Sequence, residues 1–148
     1  MIWSKQYDLK NLNLISGDNM SSHLGIQFTA ITDATLEATM PVNNKTRQPY
    51  GILHGGASVA LAETMGSYAS SLIVDGEKYM VVGMEINANH LKPVASGNVK
   101  AVCSPLHLGK SSHVWDIKLY DDNQQLICVS RLTVAIIEKR KFEPSGKT

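Results

Sequence analysis

The chain has 148 residues, a hydrophobic share of 43% and a formal net charge of +1. That length suits one domain with room for a sizeable core. The near-neutral balance, with no stripe of Lys and Arg, speaks against nucleic acid or an anionic membrane as partner.

Residues 8–20 mix Leu, Asn, Gly and Asp and predict short helical turns. "LGIQFTAI" (24–31) and "ATLEATMPV" (34–42) read as strands joined by a turn at Thr32 and Asp33. In the second, Leu36, Ala38 and Met40 alternate with Glu37 and Thr39, as in a half-buried strand. "NNKTRQPYG" is loop chemistry. Residues 57–74 predict a helix, small and apolar nearly all round, stopped by Asp75 and Gly76. It carries Glu63, Thr64, Gly66 and four serines, which argues against a membrane span. Strands are expected at 80–90, 97–105, 111–120 and 125–137. In the first of these, Met80, Val82, Met84, Ile86 and Ala88 share one side, with Glu85, Asn87 and Asn89 on the other. In the third, Trp115, Ile117 and Leu119 alternate with Asp116, Lys118 and Tyr120, and "YDDNQQ" is the hairpin turn that follows. The last strand is apolar on both faces and so belongs inside a sheet. The pattern predicts an α+β fold: an antiparallel sheet strongly curved about one long central helix, forming a single domain over 1–140, with 141–148 a flexible tail. The tail's "SGKT" has Lys141 where a phosphate loop needs its first glycine.

The opening "MIWSKQYDLKNLNL" interleaves charges and lacks the apolar run of a secretory signal, so a cytoplasmic protein is expected. Cys103 and Cys128 stand in apolar runs with no CxxC and no His at metal spacing. Buried free thiols are favoured over a disulfide, and no metal site is expected.

Glu63 is the one charged side chain between 57 and 74. An ionised carboxylate there is costly unless paired or hydrogen-bonded. Either it lines a substrate crevice as nucleophile or general base, or it is a structural Glu bridged to Arg47, Lys92 or Arg131. His54, Gly55 and Gly56 lead into the helix, whose first amides are free donors able to hold a developing oxyanion. His54 itself is either part of that site or a capping and packing residue. Ala60, Glu63 and Ser67 share a stripe, flanked by Val59, Gly66 and Ser70, that leaves space beside the carboxylate. No GxSxG, HExxH or post-strand GxGxxG is present.

The runs "GILHGGASVALAETMGSYAS", "VVGMEINANHLKP" and "PLHLGKSSHVWDIKLYDDNQQLICVSRLTVAII" together resemble the hotdog-fold acyl-CoA thioesterases. The similarity spans 25–137 and is nearest to the 1,4-dihydroxy-2-naphthoyl-CoA thioesterases of menaquinone biosynthesis and the enterobactin-pathway proofreading thioesterases. It implies hydrolysis of aromatic (aryl or naphthoyl) and medium-chain acyl-CoA. Glu63 would be the catalytic carboxylate and the Gly55 amide the donor to the thioester carbonyl. Gln48 and His54 would position the thioester, and Ser67 the water. Tyr68, where a smaller residue is expected, would shorten the acyl pocket or stack on an aromatic acyl group. Gly83, His90 and the loop residues His107, Gly109, Lys110 and Ser111 would meet the coenzyme A arm from a neighbouring subunit. Lys92 and Lys110 either contact its phosphates or are merely solvated. The family implies no cofactor beyond the coenzyme A of the substrate, and a homo-oligomer, a dimer of dimers. The competing readings are a hotdog enzyme acting on acyl-carrier-protein thioesters, an acyl-CoA hydratase, and a non-catalytic acyl-CoA-binding module.

Overall fold

The structure, a computed structural model, describes residues 1–14 and 17–139. The tail expected at 141–148 lies outside the described residues. Two short helices, α1 (Leu9–Leu14) and α2 (Met20–His23), precede strands β1 (Gln27–Ile31) and β2 (Leu36–Pro41). The long helix α3 (Gly55–Ser71) follows, then β3 (Tyr79–His90), β4 (Asn98–Leu108), β5 (Ser112–Tyr120) and β6 (Leu126–Glu138). All six strands pair antiparallel in one sheet of order β1-β2-β4-β5-β6-β3. The expected α+β class holds, and β6, apolar on both faces, sits between β5 and β3 as an interior strand.

Alternation sets which side of each strand is covered. Leu36, Ala38 and Met40 of β2 and Trp115, Ile117 and Leu119 of β5 are fully buried against α3. The helix supplies Ala57, Ser58, Leu61, Ala62, Met65, Gly66, Ala69 and Ser70. At about 100° per residue those positions sweep an arc of roughly 220°. A flat sheet meets one side of a helix only, so the sheet curves about this one. Ala60, Glu63, Thr64 and Ser67 occupy the arc left over, and all four are half-buried.

Three departures from the sequence reading have local causes. Helix α3 begins at Gly55, two residues before the expected start, because His54 caps it. Strand β4 runs past Pro105 to Leu108; a bulge between Pro105 and His107 absorbs the missing proline N–H. In β3 a bulge between Gly83 and Glu85 shifts the alternation. Val81, Ile86 and Ala88 therefore pack on the core, while Val82 and Met84 are exposed. The single apolar side expected from Met80 to Ala88 is thus split in two.

The N-terminal segment closes one end of the core. Trp3 stacks on Trp115 with centroids 6.4 Å apart, and its indole N–H donates to the Thr32 carbonyl. The Ser4 amide and hydroxyl both donate to the Leu72 carbonyl. Beneath this lid, Ser70 Oγ accepts from Trp115 Nε1 at 2.8 Å and meets His113 Nδ1 at 3.0 Å. His113 is buried, which pushes its pKa down. Cys103 and Cys128 are both buried free thiols, with burial pushing each thiol pKa up.

Candidate active site

The start of α3 is built by His54. Its ring Nδ1 accepts the Gly56 N–H at 2.8 Å, which requires the Nδ1 lone pair. The His54 carbonyl accepts from Ala57 at 2.9 Å and Ser58 at 3.3 Å. The Gly55 N–H is the first-turn donor left open among the described residues. A Cβ at Gly55 would stand 2.9 Å from His90 Nε2, so the glycine lets the His90 ring lie against the helix start. Gln48, Gly55, Ser58, His90 and Lys92 line one open cleft of about 370 Å³. The Gln48 side-chain oxygen accepts the Tyr50 amide, leaving its NH₂ free to donate. Lys92 donates to Gln125 at 2.9 Å and Arg47 to the Ala95 carbonyl at 2.7 Å.

Glu63 lies on the uncovered stripe two turns further on. It makes no hydrogen bond or ion pair among the described residues, so the bridges to Arg47, Lys92 or Arg131 are not formed. Burial alone pushes its pKa above the usual carboxylate value. Strand β3 crosses directly over it: a Cβ at Gly83 would lie 2.0 Å from Glu63 Oε1. Two clefts meet at this carboxylate. One, of about 310 Å³, includes Met20 and Leu24 with Val59 and Ala60. The other, of about 410 Å³, includes Ser67, Tyr68 and Val81. Tyr68 packs on Phe28 with ring centroids 4.6 Å apart.

The structure therefore brings Glu63, Ser67, Tyr68 and Gly83 together, and separately Gln48, His54, Gly55 and His90. Gly83 and His90, expected to face a neighbour, each also touch the site of their own chain. His107, Gly109, Lys110 and Ser111 lie on or beside the β4–β5 hairpin and line neither group of clefts. There the Gly109 amide donates to the Ser112 carbonyl at 2.9 Å. Sequence reasoning missed Ser21 and Thr64, which border both clefts at Glu63. The signal for Thr64 was its place on the uncovered stripe; α2 offered none. No group of His, Cys, Asp and Glu that could hold a metal occurs among the described residues, and no described helix is long and apolar enough to cross a membrane.

A partly desolvated carboxylate, unpaired among the described residues, thus lies eight residues from an open helix-start amide on a helix wrapped by the sheet. The thioesterase superfamily profile matches residues 50–128. The chain belongs to that superfamily and is a hotdog-fold thioester hydrolase. In particular, it is 52% identical to the 1,4-dihydroxy-2-naphthoyl-CoA hydrolase of Escherichia coli strain K12, over 93% of this chain and all of that one. It is 51% identical to the proofreading thioesterase EntH of Cronobacter sakazakii, over 93% of this chain and 99% of that one. Among solved structures, a mutant thioesterase from Pseudomonas aeruginosa superposes with a TM-score of 0.92 at 47% identity, covering 93% of this chain and 99% of that one. A thioesterase from Haemophilus influenzae gives 0.91 at 48% identity, covering 99% of this chain and 100% of that one.

Proposed function

We propose that the protein hydrolyses aromatic acyl-CoA thioesters, with Glu63 as the catalytic carboxylate and the Gly55 N–H as the donor to the carbonyl. The observation that carries this reading is the half-buried Glu63 carboxylate, which has no hydrogen-bond or ion-pair partner among the described residues and opens on two clefts. A thiolate leaves readily, so the chemistry needs an aligned oxygen nucleophile and an oxyanion donor rather than a triad. Glu63 either attacks the carbonyl carbon or takes a proton from an attacking water that Ser67 helps to hold. In both routes the C–S bond breaks and the thiolate of coenzyme A leaves. In the first, water then hydrolyses the mixed anhydride formed on Glu63 to release the acid and the carboxylate. In the second, the proton taken by Glu63 passes to the thiolate or to solvent. Gln48 and His90 stand beside the amide to orient the thioester, and no cofactor is required.

The site is completed by a second copy. Eight residues of helix place the Gly55 amide and Glu63 about 12 Å apart along the axis, and the two open on different clefts. One carbonyl cannot reach both within a chain, so Gly55 of one copy works with Glu63 of another. The unpaired edge of β3, with Val82 and Met84 exposed, is the strand surface on which copies would pair, toward a dimer of dimers. The name of the Escherichia coli relative supports a dihydroxylated naphthoyl group as substrate; we extend this to hydroxylated benzoyl groups and to a place in menaquinone synthesis in the cytoplasm. Tyr68 beside Glu63 is suited to stack on such a ring.

Thiol release from benzoyl, 4-hydroxybenzoyl, 1,4-dihydroxy-2-naphthoyl, phenylacetyl, hexanoyl and palmitoyl coenzyme A tests this. The aryl esters should be cleaved, and Glu63→Gln should lower turnover by about two or more orders of magnitude while binding is kept. Wild-type-like turnover in that variant would end the mechanism.

A further inference from the structure

Where the two clefts at Glu63 meet, α2 and α3 touch through a pair of hydroxyls. Ser21 Oγ lies 3.4 Å from Thr64 Oγ1, and Thr64 Oγ1 gives its own proton to the Ala60 carbonyl at 2.7 Å. Ser21 must therefore be the donor, across a bond long for two hydroxyls. Both residues are half-buried and border the cleft on either side of the carboxylate. Ser21 is held in place by the Asn19 side chain, which accepts the Ser21 and Ser22 amides, while Ser22 Oγ accepts the Asn19 amide in return. Around the pair the wall is apolar: Met20, Leu24, Val59 and Ala60 on one side, Tyr68 and Val81 on the other.

We propose that Ser21, seated beside Thr64, is the residue that reads a hydroxyl on the acyl group, so that hydroxylated aryl esters are preferred over unsubstituted ones. The inference rests on the Glu63 clefts being the acyl site. A ring hydroxyl reaching the pair can accept the Ser21 proton while giving its own to Thr64 Oγ1 or to solvent. Both partners stay satisfied, and a long bond is exchanged for better ones. An unsubstituted ring leaves the Ser21–Thr64 bond as it stands, with no buried group orphaned. The preference is therefore modest, about fivefold, rather than the far larger rejection seen where a missing hydroxyl leaves a buried partner unpaired.

The test is the ratio of kcat/KM for 2-, 3- and 4-hydroxybenzoyl-CoA over benzoyl-CoA, in wild type, Ser21→Ala, Ser21→Thr and Thr64→Val. The best isomer should exceed benzoyl by about fivefold in wild type. Ser21→Ala should abolish the preference and Ser21→Thr should retain it. Thr64→Val should keep or raise it, because Ser21 then has no partner but the ligand. A pair that merely ties α2 to α3 would affect all esters alike in both Ser21→Ala and Thr64→Val, and that result overturns the proposal. Calorimetric binding of thioether analogues, with a methylene between sulfur and the hydroxybenzoyl or benzoyl carbonyl, gives the same ratio without turnover. A wild-type chain that cleaves no ester yet binds the hydroxylated analogue more tightly, and loses this in Ser21→Ala, ends the hydrolase reading and keeps this one. Equal binding of the two analogues by wild type overturns it.

Discussion

Gly83→Ala separates the position of the carboxylate from its presence. The added methyl would stand 2.0 Å from Glu63 Oε1 and 3.1 Å from its Cδ. A carbon and an oxygen in ordinary contact sit about 3.3 Å apart, so the carboxylate must retreat by roughly 1.3 Å. The obstacle is the far end of a flexible side chain on the uncovered stripe, so a change of rotamer relieves it at about 1 kcal/mol. Folding should thus be nearly unaffected, with a melting temperature within about 4 °C of wild type. Catalysis should not be spared, because a misplacement of about 1 Å in a reacting group can cost 10²-fold. Steady-state thiol release from an aryl-CoA ester should show kcat lowered by about two orders of magnitude. In a Glu63→Gln background the same substitution should add little, since both changes act through one group. Full activity in Gly83→Ala would refute the placement of Glu63 at the reacting carbon. An equal further loss in the double variant would assign the effect to the strand instead.

Four other outcomes follow from contacts already described. Because burial raises the Glu63 pKa from 4.5, kcat should fall on an acid limb above that value, as read from a pH–rate profile. The same shift means the folded chain holds that proton more tightly than the unfolded one. Its stabilising contribution is present below pH 4.5 and lost as pH rises through the raised pKa, so Glu63→Gln should melt above wild type at neutral pH and level with it in acid. His54→Ala removes the cap on Gly56 and should cost about 1 kcal/mol in urea unfolding, with His54→Asn recovering most of it; an unchanged midpoint in the alanine variant would deny the capping role. Ser70→Ala strands Trp115 Nε1 and His113 Nδ1 in the core and should cost about 1–3 kcal/mol by the same measurement.

Much of this was legible in the residues because one-sided burial writes itself as alternation. Leu36, Ala38 and Met40, or Trp115, Ile117 and Leu119, cannot face water together, and the lone Glu63 in a small-residue helix marked the candidate site. What stayed hidden depends on contacts between distant segments. The β3 bulge leaves the sequence 80–90 looking like one clean strand, and only pairing with β6 shows that Met84 is the extra residue. The helix start was placed late because two glycines read as a turn, whereas an imidazole lone pair does here what Ser, Thr, Asn or Asp usually does. Ser21 carried no sequence signal, since four residues of α2 become part of the site only by lying against Thr64. That Gly55 and Glu63 open on different clefts follows from helix geometry but required the sheet to show which arc was covered.

The stacking of Trp3 on Trp115 has a practical consequence. These are the chain's two tryptophans, and they lie nearly parallel, 8° apart, at one end of the core. Tryptophan emission from this protein, excited at wavelengths its five tyrosines do not absorb, therefore comes from a single spot, where the segment before α1 meets the sheet and where Trp115 reaches Ser70 of α3. Peeling that segment away would wet both indoles at once and shift their emission to the red. Amide signals from the other strands would stay in place. A fluorimeter thus watches the lid come off, and comparison with far-ultraviolet circular dichroism tells whether it does so before the sheet lets go of its helix.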